Sequence, residues 1–301
     1  MLTPHADPVI ERIDDPLFRQ HRVEVFIKRE DLLHPYVSGN KWRKLKYNLI
    51  EAQTKGYRNL LTFGGAYSNH IYATAAAARE SGFRSIGIIR GDELRDKPLN
   101  PTLSFAKGQG MQFHFVSREE YRKRHDKVYL EELSARYGDC YSIPEGGTNQ
   151  LAIKGCEEIL NTSTQHVDII ACAVGTGGTI AGIISAKKEH QTVIGFSALK
   201  GGFLADEVKA LLQEYDKPGI INWRIEDSYH FGGYAKMKPA LTNFMTDFEA
   251  RHRIPLDPIY TGKMVFGMYD MITNDRFEKG TRILMIHTGG LQGRKCLLPA
   301  H

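Results

Sequence analysis

Lys41 is the first residue whose type and position could do chemistry. It follows a Ser-Gly-Asn turn in SGNKWRKLK, residues 38–46, at the predicted start of a helix. A lysine amine can act as a nucleophile, and burial makes it a better base near neutral pH. However, three more basic residues follow within five positions, and most basic residues near helix ends face water. Two interpretations are therefore open, a solvated basic run and a lysine positioned for chemistry.

A glycine-rich loop in AVGTGGTIAGI, residues 173–183, is the strongest local pattern. Its glycines and threonines are Gly175, Thr176, Gly177, Gly178 and Thr179. The loop follows an apolar strand and opens a helix, where free N–H groups and the helix dipole favour a phosphate. A Walker loop would need GxxxxGK[ST], and a dinucleotide-binding fingerprint would need a glycine in place of Ile180. The pattern predicts a phosphate site, with a plain strand-to-helix turn as the alternative.

Two further Gly-Gly turns also follow apolar strands. TFGGAYSNH, residues 62–70, presents Ser68 and Asn69, either of which can instead cap the following helix. MIHTGGLQG, residues 285–293, follows the strand RILMI. Because ligands of parallel sheets bind at the carboxyl ends of the strands, the three turns predict one shared cleft.

Alternating strands and helices must position these turns. Apolar strands are predicted at residues 59–63, 85–91, 111–117, 140–147, 167–175, 192–199 and 282–286. Helices are predicted at residues 70–81, 151–160 and 179–190 and in a polar stretch that ends at about Tyr137. Strands that are apolar throughout and separated by helices indicate parallel sheets covered on both faces. The fold class is α/β.

The helix that begins near Lys41 has a packed stripe. Trp42, Leu45 and Leu49 fall at i, i+3 and i+7, and Gly56 is placed where a left-handed C-cap is favourable. Lys41 is offset from this stripe, so its backbone is fixed while its side chain projects elsewhere.

Composition and charge exclude several function classes. The chain has 301 residues, with 40 basic and 35 acidic side chains and a net charge of +5. That excess is too small to indicate nucleic-acid binding. No apolar stretch approaches the ~20 residues that span a bilayer, and the N-terminus has no signal-peptide pattern. We expect a cytoplasmic protein that binds neither nucleic acid nor membranes.

The cysteines and histidines predict no metal site. Cys140, Cys156, Cys172 and Cys296 form no CxxC pair, and three of them lie in or beside apolar runs. This favours buried free thiols in a reducing compartment. The twelve histidines are scattered, without metal-ligand spacing.

Seven motifs in the same order resemble one enzyme family. They are KRED, GNKWRKL, GGAYSNH, GTGGTIAG, GGY, DPIYTGK and HTGG, and they span residues 28–290. Together they are similar to the fold-type II pyridoxal-phosphate enzymes, the tryptophan-synthase-β-like group. Within that group, the chain resembles the family of 1-aminocyclopropane-1-carboxylate (ACC) deaminase and D-cysteine desulfhydrase.

The resemblance implies a cofactor, pyridoxal 5′-phosphate, and residues that hold it. Lys41 would carry the cofactor as a Schiff base, and Asn69 would hydrogen-bond its ring oxygen. The loop at residues 175–179 would hold the phosphate, and Thr288 would face the pyridine nitrogen. The family resemblance therefore favours the chemical interpretation of Lys41.

The resemblance also implies substrate contacts. Ser68, Asn69, His70, Tyr234 and Tyr260 would contact a small amino acid. Of these, Ser68 and the two tyrosines would be catalytic together with the lysine, with Ser68 helping to move protons.

Three positions favour one activity of the family. The ACC deaminase pattern has Glu and Leu where this chain has Thr261 and Thr288, and His70 also suits the desulfhydrase pattern better. A hydroxyl opposite the ring nitrogen makes a weaker electron sink than a carboxylate would, which favours elimination over transamination. The expected reaction is β-elimination from a small D-amino acid, with D-cysteine giving pyruvate, ammonia and sulfide.

Several departures keep other activities open. Tyr67 stands where the family usually has Gln and Tyr72 where Arg is common, so bulky rings could reshape the pocket. The alternatives are an ACC deaminase that gives 2-oxobutyrate and ammonia, a dehydratase or racemase acting on serine, and a non-catalytic homologue that binds the cofactor or a metabolite.

The resemblance implies two three-layer αβα domains with mainly parallel sheets. The smaller domain is predicted at residues 46–146, inserted into a large cofactor-binding domain formed by residues 1–45 and 147–301. The cofactor would lie in the cleft between them, and family members imply a homodimer.

Overall fold

The structure is a computed structural model, and it describes residues 2–294. Within that part of the chain, no helix is long and apolar enough to cross a membrane. Cys140, Cys156 and Cys172 are buried free thiols, as the sequence predicts. Cys296 lies outside the described residues.

Two sheets organise the described chain. The strands are β1 (Ile10–Arg12), β2 (Glu24–Lys28), β3 (Asn59–Gly65), β4 (Arg84–Arg90), β5 (Gln112–Val116), β6 (Cys140–Ile143), β7 (Ile169–Val174), β8 (Thr192–Ser197), β9 (Trp223–Glu226) and β10 (Arg282–Ile286). The larger sheet has the order β1-β2-β10-β7-β8-β9 and is parallel except for β1, which pairs antiparallel with β2. The smaller sheet has the order β5-β4-β3-β6 and is parallel throughout.

Helices cover both sheets. They are α1 (Pro16–Gln20), α2 (Asn40–Thr54), α3 (Asn69–Glu80), α4 (Pro101–Gly108), α5 (Arg118–Arg122), α6 (Lys127–Tyr137), α7 (Gln150–Glu157), α8 (Gly178–Ala186), α9 (Leu204–Glu214), α10 (Pro239–His252) and α11 (Thr261–Thr273). Short 3₁₀ helices occur at Glu30–Leu32, Asp92–Leu94, Lys123–His125, Glu145–Gly147, Thr162–Thr164 and Leu291–Gly293.

The larger sheet is buried on both faces, which explains its continuous apolar strands. Along β7, Ile170, Cys172 and Val174 pack against α7, α8 and α9. Ala171 and Ala173 point to the opposite face, where they pack with α10 and α11. Side chains of a strand alternate between its two faces, so a strand covered on both sides must be apolar at every position.

The smaller sheet is covered in the same way. Leu61 and Phe63 of β3 pack on the side of α6, whereas Ile89 of β4 packs with residues of α3 and α4. The predicted fold class, two three-layer αβα units with mainly parallel sheets, is therefore confirmed.

Helix α2 joins the core beside the smaller sheet. Trp42, Leu45 and Leu49 are buried in one cluster with Leu60 of β3, as the predicted stripe requires. The helix ends at Thr54 and Gly56 takes a φ of 77°. The strands of the smaller sheet run from residue 59 to residue 143, and the predicted domain boundaries at residues 46 and 146 stay a prediction.

Two predicted helices have different bounds in the structure. The polar helix is divided into α5 and α6 because Asp126 caps α6, accepting hydrogen bonds from the Val128 and Tyr129 amides. The helix predicted at residues 179–190 ends at Ala186, because Lys187 adopts an extended conformation with ψ of 155°.

Candidate active site

The three Gly-Gly turns meet at one cavity of about 820 Å³, which lies at the carboxyl ends of β3, β7 and β10. A cavity of this size suits a small-molecule site. The predicted site residues that line it are Lys41, Ser68, Asn69, His70, Gly175, Thr176, Gly177, Thr179, Tyr234, Tyr260 and Thr288. Gly178 is the one predicted site residue that does not line the cavity. The structure therefore brings the sequence-predicted set together.

Gly39 fixes the start of α2 against the end of β10. It has φ of 61° and is the N-cap of α2, and a Cβ atom there would lie 2.0 Å from the Thr288 carbonyl oxygen. The amide of Asn40 donates a hydrogen bond to the same oxygen at 3.2 Å. Only glycine fits this contact, so the turn holds Lys41 at the base of the cavity.

Burial changes the charge of Lys41. Its side chain lies deep in the protein, although part of it remains open to the cavity. Burial, followed by repulsion from the nearby ammonium group of Lys44, lowers the pKa of Lys41 to about 7. A large fraction of this amine is therefore uncharged at neutral pH, which makes it a competent nucleophile or base.

The glycine-rich loop lies directly over neighbouring side chains. Gly177 caps α8 in the left-handed region with φ of 77°. A Cβ atom on Gly178 would lie 2.8 Å from Thr148 Cγ2 and 3.2 Å from Lys44 Nζ. The hydroxyl of Thr179 accepts a hydrogen bond from Asn40 Nδ2 at 2.9 Å, which connects this loop with the turn before Lys41.

Lys44 supplies a buried cation beside this loop. Its Nζ donates to the Gly146 carbonyl at 3.0 Å, to Thr148 Oγ1 at 2.9 Å and to Thr176 Oγ1 at 3.3 Å. Burial lowers its pKa to about 8. No carboxylate in residues 2–294 forms a salt bridge with it, and a buried charge requires a partner. An ammonium group without an anion next to a helix N-terminus fits a phosphate.

Ser68 and Asn69 begin α3 at the edge of the cavity. Ser68 is the N-cap, and its Oγ accepts hydrogen bonds from the amides of His70 at 3.2 Å and Ile71 at 3.3 Å. Its hydroxyl hydrogen remains able to donate to a ligand. The side-chain oxygen of Asn69 accepts a hydrogen bond from Gln292 Nε2 at 2.9 Å, which leaves its amide hydrogens available.

His70 is held by the protein on both ring nitrogens. Because the Thr62 hydroxyl donates to the Ile143 carbonyl at 2.8 Å, it accepts from His70 Nε2 at 2.7 Å. The other ring nitrogen, Nδ1, lies 3.4 Å from Thr74 Oγ1. Burial, followed by the charges of Lys41 and Lys44, lowers the pKa of His70 well below its usual value. The imidazole is neutral, and its contact with substrate stays a prediction.

Tyr234 and Tyr260 lie next to each other in the cavity lining. Their rings are edge-on, with centroids 6.3 Å apart. Burial raises the pKa of both phenols, and the negative charge of Asp257 raises each further. Both groups therefore remain protonated at neutral pH and can donate a hydrogen bond or a proton to a ligand.

Comparison with known proteins agrees with this geometry. A family described as "Pyridoxal-phosphate dependent enzyme" matches residues 13–289. The chain belongs to this family.

Similar proteins within this family carry more specific names. A protein of Thermotoga maritima named "Putative 1-aminocyclopropane-1-carboxylate deaminase" is 34% identical over 92% of this chain and 92% of its own length. A "Bifunctional D-cysteine desulfhydrase/1-aminocyclopropane-1-carboxylate deaminase, mitochondrial" of Arabidopsis thaliana is 33% identical over 90% of this chain and 73% of its own length. A crystal structure of an ACC deaminase homologue has a TM-score of 0.83 and 29% identity, covering 96% of this chain and 91% of that one.

The donors in the cavity fit pyridoxal phosphate, on which this family depends. The unpaired ammonium of Lys44 and the N-terminus of α8 suit the phosphate. The amine of Lys41 suits the aldehyde, and the amide of Asn69 suits a ring oxygen. No role was predicted for Lys44, although its position three residues after Lys41 on the same helix was a signal.

Thr261, one of the three positions that favour the desulfhydrase pattern, lies outside the cavity lining. Thr261 is fully buried at the start of α11 and does not line the cavity. Its hydroxyl donates to Asp257 Oδ1 at 2.8 Å and accepts from the Asp257 amide at 2.9 Å. The family pattern alone could not show whether Thr261 lines the pocket or supports the wall of the pocket.

The two unusual tyrosines have different environments. Tyr67 is exposed and lines the cavity, as expected for a residue beside Ser68. Tyr72 instead stacks on Phe105 with ring centroids 3.7 Å apart and is absent from the lining. Of the two tyrosines, Tyr67 borders the cavity, whereas Tyr72 packs on Phe105 of α4.

One group of possible metal ligands comes together elsewhere. His5, His34 and Glu80 place ligand atoms within 4.8 Å of one another, which their scattered sequence positions did not show. Nδ1 of His34 accepts from two backbone amides, and its Nε2 lies 2.9 Å from Glu80 Oε2. These contacts already use both nitrogens of His34.

Proposed function

We propose that this enzyme catalyses β-elimination on a small D-amino acid, preferably D-cysteine, to give pyruvate, ammonia and hydrogen sulfide. The observation that carries the proposal is the neutral side chain of Thr288 in the cavity lining. This uncharged residue lines the cavity directly after β10, at the position that the family resemblance assigns to the cofactor's ring nitrogen. A neutral partner there supports elimination rather than transamination.

Pyridoxal phosphate, when bound, delocalises the electron pair left on the substrate's α-carbon after proton removal. Lys41 is the base for that proton, since its pKa of about 7 leaves much of the amine uncharged. The Ser68 hydroxyl lies at the cavity edge, where it can orient the substrate or relay a proton. Tyr234 and Tyr260 stay protonated and can donate to the leaving group.

ACC deaminase activity is the second candidate. It is favoured by the name of the Thermotoga relative and by the two activities named for the Arabidopsis relative. The burial of Thr261 weakens one argument against it, because a residue outside the cavity does not contact the substrate and can act only through the cavity wall. In that reaction, Lys41 and Ser68 would act on ACC, and the products would be 2-oxobutyrate and ammonia.

A side-by-side assay distinguishes these reactions. Purified, cofactor-loaded protein would receive D-cysteine, L-cysteine, ACC or D-serine, with keto acid and sulfide measured. Pyruvate and sulfide from D-cysteine, without product from ACC, is the expected result. 2-Oxobutyrate from ACC alone would replace the proposal with the second candidate. Product from D-serine alone would indicate a dehydratase, and a loaded protein inactive on all four substrates would favour a non-catalytic homologue. Light scattering on the same sample tests the predicted homodimer.

A further inference from the structure

The outer part of the active-site cavity carries arginines that the proposed reaction does not use. Arg90 and Arg124 line the cavity that contains Lys41. They also line a second cavity of about 410 Å³. The full lining of that second cavity is Arg90, Arg118, Tyr121, Arg122 and Arg124. The two spaces share two residues, so a ligand in the active site can extend toward this basic group.

Arg90 lies beside the turn that carries Ser68. It is the last residue of β4 and is paired in register with Gly65 at the end of β3. A Cβ atom on Gly65 would lie 3.5 Å from Arg90 Nη2, so the guanidinium covers this glycine, three residues before Ser68. Its positive charge also opposes the rise in the pKa of Tyr234. Arg90 therefore lies within electrostatic reach of the substrate pocket.

Arg90 lacks a carboxylate partner of the kind that Arg118 and Arg124 have. Arg118 forms a salt bridge with Glu93 at 3.2 Å, and Arg124 forms one with Glu145 at 2.7 Å. No carboxylate in the described part of the chain lies within salt-bridge distance of Arg90. Its guanidinium carbon lies 5.6 Å from the ring centroid of Tyr121, a cation–π arrangement that directs the group without neutralising it.

We propose that Arg90, held against the ring of Tyr121, binds an anionic group on the side chain of the amino-acid substrate. This inference rests on the proposed function and extends its substrate class from D-cysteine to β-substituted amino acids whose substituent is an oxyanion. A guanidinium group offers a planar pair of donors that matches carboxylate, sulfonate and phosphate oxygens. The adjoining cavity of about 410 Å³ gives such a substituent room beyond the pocket of Ser68 and Tyr234.

The test compares a charged side chain with a neutral one. O-Phosphoserine and O-methylserine, each as both enantiomers, would be titrated into cofactor-loaded protein, with Kd taken from the cofactor absorbance and from calorimetry. The variant is Arg90→Gln. The matched control is Arg84→Gln, which removes the same charge from the other end of β4, where Arg84 is also exposed. Keto-acid release is measured separately on the same samples.

We expect one enantiomer of O-phosphoserine to bind about tenfold more tightly than O-methylserine, as a charge-assisted hydrogen bond allows. Arg90→Gln should abolish this preference without changing the Kd of O-methylserine, while Arg84→Gln should retain it. Raising the salt concentration should reduce the preference, because this arginine is exposed to solvent.

Four results would overturn the subsite. The first two are equal binding of the two ligands by the unmodified protein and no binding of either ligand. The third is an equal effect of Arg90→Gln and Arg84→Gln on the Kd values. The fourth is weaker binding of both ligands to the Arg90→Gln protein, which would assign Arg90 to the α-carboxylate. Elimination from neutral amino acids without any preference would remove the subsite and leave the proposed function standing. Tight binding of O-phosphoserine with no keto acid from any substrate would retain the subsite and refute the proposed reaction.

Discussion

Replacing Lys44 by glutamine tests the assignment of the phosphate site. Lys44 is almost fully buried, and its ammonium group contacts three neutral oxygens, those of Gly146, Thr148 and Thr176. Glutamine retains polar atoms that can bond the two threonines but removes the charge. The unpaired charge is the feature that calls for an anion, so cofactor affinity should fall while the fold is kept.

The expected magnitude follows from the contact that is lost. A hydrogen bond involving a charged group contributes about 1.5–3 kcal/mol. Since about 1.4 kcal/mol corresponds to a factor of ten in affinity, Lys44→Gln should weaken cofactor binding by about 10–100-fold. The difference should also depend on pH. A bound phosphate would raise the Lys44 pKa above about 8, so the advantage of lysine should be complete below pH 8 and should decline above it.

The assay is best done in a Lys41→Ala background. Without a covalent bond, the Kd of pyridoxal phosphate, measured by absorbance or fluorescence titration, reports only the noncovalent contacts. Lys46→Gln is the matched control, because Lys46 lies on the same helix but forms a salt bridge with Glu158 at 2.7 Å, outside the cavity lining. An affinity loss no greater in Lys44→Gln than in Lys46→Gln would refute the assignment of Lys44 to the phosphate.

Three other changes probe the lysine, the serine and the turn. Cofactor-free protein should react covalently with pyridoxal phosphate at a rate that rises up to about pH 7 and then levels, because only the uncharged amine of Lys41 reacts. Stopped-flow absorbance measures this rate. A rate independent of pH, or covalent reaction of the Lys41→Ala protein, would contradict the prediction. Ser68→Ala should keep cofactor affinity and lower kcat about 100-fold, as loss of a proton-transfer group does, and unchanged steady-state kinetics would exclude Ser68 from the mechanism. Gly39→Ala should lower Tm and cost about 2 kcal/mol or more, because its Cβ would lie 2.0 Å from a Thr288 carbonyl oxygen; unchanged thermal melting would refute this role.

The fold and the three turns at the cavity could be predicted from the sequence for a physical reason. Strands buried on both faces must be apolar at each position, so β7 and β10 stand out against the amphipathic helices between them. The carboxyl ends of parallel strands lie at one edge, which brings together turns as distant in sequence as those at Gly65 and Gly289. Periodicity and strand direction together were sufficient for this part of the site.

Side-chain direction and ion pairing were not available from the sequence. Lys44 and Lys46 cannot be distinguished within the basic run of the sequence, yet Lys44 is buried beside the glycine-rich loop and Lys46 is paired with Glu158. Similarly, Arg90 and Arg118 differ in whether a carboxylate from a distant part of the chain reaches them. Such differences depend on contacts between residues far apart in sequence, which only the folded chain defines.

The start of α11 shows how a residue outside the cavity can still influence the substrate. The Asp257 carboxylate accepts hydrogen bonds from the amides of Tyr260 at 2.9 Å and Thr261 at 2.8 Å. The Thr261 hydroxyl also donates a hydrogen bond to this carboxylate. Lys263, two residues after Thr261, donates to the carbonyls of His230 at 2.9 Å and Gly233 at 2.8 Å.

These contacts fix both tyrosines of the pocket, because Tyr260 lies within the Asp257 turn and Tyr234 directly follows the segment held by Lys263. A glutamate in place of Thr261 would bring a second carboxylate beside Asp257, and the two like charges could not both remain buried and ionised. The turn would have to rearrange, and Tyr260 would move with it. We therefore expect the residue at position 261 to influence the reaction through the position of Tyr260 and not through contact with the substrate.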